Sequence, residues 1–113
     1  MRMPPRNLTS PDDAINHLLF LKDTYQLHVI NKPETVLGFL IGFNHACASI
    51  GLIRIEDQRL VMPIYDNILE RLDLDRYKSL PDQLRDRGLT DTEIIDLSFD
   101  IFIELWKRVY EEA

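Results

Sequence analysis

Apolar residues recur at spacings of three and four along most of the chain, and no segment alternates in the two-residue period of a half-buried strand. This pattern predicts an all-α fold. The first helix is expected from Ser10 to about Gln26, where Ala14, Ile15, Leu18 and Leu19, continued by Lys22 or Tyr25, form one stripe. Asp13, Lys22 and Asp23 remain on its wet side. Ser10 suits the cap, Pro11 the first helical position where no N–H is needed, and Asp12 and Asp13 oppose the positive helix end.

The second helix opens on Asn31-Lys32-Pro33-Glu34, which reads as a capping box with Asn31 as the cap and Glu34 reaching back. Gly51 closes it in the left-handed conformation, with Leu52 placed for the accompanying apolar contact. No charged residue lies between Glu34 and Arg54, and Gly38, Gly42 and Ala46 recur every four residues. This small-residue stripe predicts close packing against a neighbouring helix and so places the second helix at the centre of the fold. A charge-free run with such a stripe also fits a membrane span. Asn44 and His45 in its middle, flanks without a basic bias and amphipathic helices elsewhere argue against that, so no membrane association is expected.

A third helix is predicted from Ile55 to Leu72, with Leu60, Val61, Ile64, Ile68, Leu69 and Leu72 facing inward and a kink at Pro63. Residues 73–80 read as a connector. A short helix follows from Pro81 to Arg87, stopped by Gly88, and Thr90-Asp91-Thr92-Glu93 forms a second capping box. The last helix, Asp91 to about Glu111, carries a broad face of Ile94, Ile95, Phe99, Phe102, Leu105, Trp106 and Val109, with Lys107 and Arg108 near its negative end. The expected architecture is a compact bundle of four main helices plus one short connector helix. It forms one domain over 11–113 behind a flexible N-terminal arm of residues 1–10.

Composition narrows the function. With 113 residues, 45% apolar, the chain can bury one core without staples. Its one cysteine, Cys47, cannot pair internally and no leader pattern opens the chain, which predicts a reducing, cytoplasmic setting. His17, His28 and His45 form no His-x-x-x-His or Glu-x-x-His pair that would place two ligands on one helical face, so neither metal nor cofactor is expected. Asp13 and His17, one turn apart, read as an ordinary surface ion pair. His45 and Cys47, two residues apart, point to different sides of a helix, and no phosphate loop or hydrolase elbow is present. Cys47 then reads as a small core residue, and the chain as no enzyme. Leu84–Leu97 superficially matches a helix-turn-helix, but the would-be recognition helix presents Asp91, Glu93, Asp96, Asp100 and Glu104, which repel phosphates; direct nucleic-acid binding is not expected.

The net charge of −6 is unevenly spread. Residues 1–54 hold five basic and four acidic groups, a balance of +1, whereas residues 55–113 hold eight and fifteen, a balance of −7. Glu93, Asp96, Asp100 and Glu104 step along the last helix as an acidic ridge, and Asp66, Glu70 and Asp73 make a shorter one on the third. Repeated like charges at these spacings cost a few tenths of a kcal/mol per pair. They serve solubility or a docking face for a basic protein surface.

In size and charge alone the chain is similar to immunity proteins, antitoxins and phage-encoded inhibitors such as anti-CRISPR proteins, a likeness that carries over no residue. It implies a small, acidic, non-enzymatic regulator or inhibitor that lays its acidic helical face on a basic partner, with Asp96, Asp100 and Glu104 as the leading contacts. Two alternatives stand beside it. One is an assembly subunit that self-associates, for example as a homodimer, through Phe39, Phe43, Phe99 and Trp106. The other is a small helical ligand-binding protein with a pocket beside the glycine stripe.

Overall fold

The computed structural model describes residues 10–24, 32–52 and 55–112. Among them lie α1 (Pro11–Thr24), α2 (Pro33–Ser49), a 3-10 turn (Ile55–Leu60), α3 (Val61–Arg71), α4 (Leu80–Asp86) and α5 (Asp91–Glu112), and no strand. The fold is all-α. The expected end of the first helix at Gln26, the Asn31 cap and most of the N-terminal arm fall outside the described residues.

Local chemistry sets most of the helix ends. At the start of α1 the Asp13 N–H donates to Ser10 Oγ at 3.2 Å while Ser10 N–H donates to Asp13 Oδ2 at 3.1 Å. This is a reciprocal cap of which Ser10 is the half that the sequence announces. Thr90 and Glu93 form the same box ahead of α5, at 3.2 and 2.9 Å. Ahead of α2, Lys32 occupies the cap position without a side-chain bond, and Glu34 reaches to Arg85 of α4.

Three helices end alike. After α2, the Leu52 N–H donates to the Cys47 carbonyl and Gly51 N–H to Ala48, with Gly51 at φ +85°. After α4, Gly88 plays the same part at φ +87°, with Leu89 N–H donating to Leu84. After α3 the left-handed position is held by Asp73 at φ 57°, and Leu74 N–H donates to Leu69 at 2.8 Å. Arg87 braces this turn by donating to the Leu72 carbonyl at 2.7 Å and to the Asp73 carbonyl.

Pro63 does not kink a long third helix. The segment divides instead into the 3-10 turn and α3, and Pro63 falls in the first turn of α3, where a missing N–H leaves no bond unmade.

The centre of the fold is α5 rather than α2. Helices α1, α2, α3 and α4 all pack on α5. It buries Ile94, Ile95, Ser98, Phe99, Ile101, Phe102, Ile103, Leu105, Trp106 and Val109, an arc of more than half its circumference. Ile101 and Ile103 widen the predicted face on both edges. Ser98 sits inside it by donating its hydroxyl to the Ile94 carbonyl at 2.8 Å. Helix α2 contributes only one narrow side, Val36, Leu40 and Cys47.

The glycine stripe is therefore not a packing seam. Gly38, Gly42 and Ala46 lie on the opposite side of α2 from Leu40 and Cys47 and are exposed, and a Cβ placed on either glycine would meet nothing within 4 Å among the described residues. The small residues open the helix to water.

Candidate functional site

Helices α2 and α3 both lean on α5 and diverge from each other, which leaves a trough of about 430 Å³. One wall is Ile41, Asn44, His45 and Ala48 of α2. The other is Gln58 of the 3-10 turn with Val61, Met62 and Tyr65 of α3, and the floor is Phe102 and Leu105 of α5. No Asp, Glu, Lys or Arg lines it. The sequence explains the wall on α2, because its helix carries no charge after Glu34. It does not announce the opposite wall, since the trough exists only where two helices separate in space.

Two contacts fix the polar groups at the trough. Trp106 Nε1–H donates to Asn44 Oδ1 at 2.7 Å, tying α5 to α2 across 62 residues of sequence. The ring of Tyr65 tilts against Phe102 with centroids 6.0 Å apart. Burial, with Asp66 adding to it, holds the Tyr65 phenol above its ordinary range, so it stays a neutral hydroxyl. Large apolar side chains of the trough walls remain in water: Ile41 is 45% exposed and Met62 54%.

The acidic residues singled out in the sequence are placed differently. Asp100 accepts from Lys22 Nζ of α1 at 2.5 Å, and Glu104 from Arg71 Nη2 of α3 at 2.5 Å. Asp66 pairs with Arg76, and Glu93 is occupied in its cap, where bonding to Thr90 holds its carboxyl below the usual range. Asp73 serves as the helix-ending residue after α3. Among the described residues Asp96 and Glu70 have no ion-pair partner; Asp96 is half-buried and Glu70 exposed. Asp100 and Glu104, two of the four ridge residues on α5, are thus engaged by cations from neighbouring helices. Those partners were invisible in the sequence because they lie 78 and 33 positions away.

Arg85 forms a further polar knot, with Glu34, Asp82 and Asp91 around one guanidinium. The bond from Arg85 depresses the Glu34 carboxyl, and the arrangement joins the beginnings of α2, α4 and α5.

The remaining candidates belong to the core. Cys47 is buried, and desolvation pushes its thiol up to about 11. His17 stacks on Phe43 at 5.5 Å, its Nδ1 is enclosed without a hydrogen-bond partner, and burial lowers its pKa. Among the described residues no group of three His, Cys, Asp or Glu could hold a metal ion, and no helix is long and apolar enough to cross a membrane. Of the four aromatic residues offered for self-association, Phe99 and Trp106 are core residues, 2% exposed, and Phe43 is packed against His17 and Trp106. Only Phe39, 36% exposed, faces water to any extent.

Comparison with known protein families, curated proteins and solved structures finds no match to this chain.

Proposed function

We propose that the chain is a non-enzymatic binding protein, a cytoplasmic regulator or inhibitor that docks on a partner protein with a basic surface. Contact falls on the uncharged side built by α2 and α3, and the net charge of −6 acts at a distance, raising the rate of encounter with a basic partner. The observation that carries this reading is the pair of exposed apolar side chains, Ile41 and Met62, on opposite walls of a mostly apolar trough that no Asp, Glu, Lys or Arg lines. Interfaces draw their affinity from apolar anchors seated in desolvated pockets, with charge depleted at their core. The acidic ridge supports contact less well, because Asp100 and Glu104 already hold Lys22 and Arg71.

Site-specific photo-crosslinking tests the proposal. A benzophenone side chain placed at Ile41 or Met62 in the host cell should yield one adduct of defined mass, and the same group at Asp96 or Glu70 should not. Adducts confined to Asp96 and Glu70 would move the interface to the acidic ridge.

A second reading, a small helical ligand-binding protein, is favoured by the trough itself, whose volume and mostly apolar lining with a few polar groups are those of ligand sites.

A further inference from the structure

The orientation of one amide determines what the trough accepts, given the ligand-binding reading on which this inference rests. An indole N–H can only donate, so the Asn44 atom bonded to Trp106 is the carbonyl Oδ1. The two protons of Asn44 Nδ2 are what remain. They have no acceptor among the described residues, Nδ2 is not an enclosed atom, and Asn44 lines the trough. Around it the surface is mostly apolar, from Ile41 and Ala48 through Met62 to Phe102 and Leu105, with His45, Gln58 and Tyr65 as its other polar side chains. No Asp, Glu, Lys or Arg lines it, so an ionised group placed there would lose hydration with no fixed counter-charge to replace it.

We infer that the trough binds a neutral, largely apolar organic molecule with a hydrogen-bond acceptor such as a ketone or amide carbonyl, held by the Asn44 Nδ2 donor against the floor of Phe102 and Leu105. The volume of about 430 Å³ lies within the roughly 300–1,000 Å³ of sites for such molecules.

The test uses the full chain and three fluorescent naphthalenes: 6-propionyl-2-dimethylaminonaphthalene, which is neutral with one ketone; 2-dimethylaminonaphthalene, which lacks the ketone; and the anion 1-anilinonaphthalene-8-sulfonate. The ketone should bind saturably at one site with blue-shifted emission, at least fivefold more tightly than either of the others. Ala48→Phe should fill the trough and weaken ketone binding at least tenfold while far-UV circular dichroism is unchanged. Should that variant fail to fold, Gln58→Phe on the exposed wall makes the same test. Equal binding of all three probes, abolished by the filled trough, would overturn the ligand class while leaving the ligand-binding reading in place. Ketone binding undiminished in the folded filled variants would overturn the site, and binding by none of the probes would overturn both.

Discussion

At the scale of the residue, the glycines of α2 show most clearly how a sequence motif and its structural setting come apart. The spacing of Gly38, Gly42 and Ala46 is that of a packing seam, but spacing states only that the residues share a side, not whether that side meets a helix or water. Here it meets water, and each glycine then carries the backbone entropy cost of the residue without a close contact to offset it. Gly38→Ala and Gly42→Ala should each stabilise the isolated chain by about 1 kcal/mol in urea denaturation. Asp73 is the converse case. It stands at φ 57° where glycine is the common occupant, and its one carboxylate gave no hint of a helix end, whereas Gly51 and Gly88 were legible at once. Asp73→Gly should raise stability by about 1 kcal/mol, read in the same denaturation experiment. Cys47 was legible as a core residue from its apolar neighbours. With its thiol pushed up to about 11 and buried, it should react with a disulfide reagent at pH 8 far more slowly than in the urea-unfolded chain.

At the scale of the element, the amphipathic pattern located the start of α1 and both ends of α4 and α5 to within a residue or two but ran α3 together with the 3-10 turn ahead of it, and the caps at Ser10 and Thr90 could be read directly because both partners lie within one turn. The rank of the helices could not. A charge-free α2 looked central, yet α5 buries the wider arc because Ile101 and Ile103 extend its apolar face past the predicted edge. The Trp106–Asn44 bond that joins these two helices was equally hidden, since nothing local marks a pair 62 residues apart. Trp106→Phe removes that bond and part of the buried ring, and should destabilise the chain by about 1–3 kcal/mol, measured by thermal or urea unfolding. The stack of His17 on Phe43 makes the α1–α2 contact sensitive to acid. Burial lowers the folded-state pKa of His17 below its ordinary 6.5, so the unfolded chain takes up the proton first. Its contribution is full above pH 6.5 and is lost as pH falls from there towards the folded-state pKa. The melting temperature should fall between pH 7 and 5.5, and His17→Phe should flatten that fall.

At the scale of the whole molecule, net charge was legible and its use was not. Counting carboxylates places the acidity in the second half, but only the folded arrangement shows Lys22 reaching Asp100, Arg71 reaching Glu104 and Arg85 gathering three carboxylates. Reversing Asp100 and Glu104 together therefore perturbs two exposed ion pairs as well as the surface field, although each such pair contributes no more than about 1 kcal/mol. Asp96, which has no ion-pair partner among the described residues, is the cleaner probe of the ridge. The trough was the feature least accessible to sequence reasoning, because it is defined by the divergence of α2 and α3 above α5 and by no motif.

The central claim is that contact is made by the uncharged side of α2 and α3 while the acidic surface acts at a distance. The most direct measurement is the affinity and association rate of Ile41→Asp and Asp96→Lys for the crosslinked partner, by surface plasmon resonance at physiological salt. The account predicts that Ile41→Asp weakens binding at least tenfold through faster dissociation, and that Asp96→Lys changes affinity less than threefold, chiefly through slower association. A tenfold loss on Asp96→Lys with Ile41→Asp unchanged would contradict it.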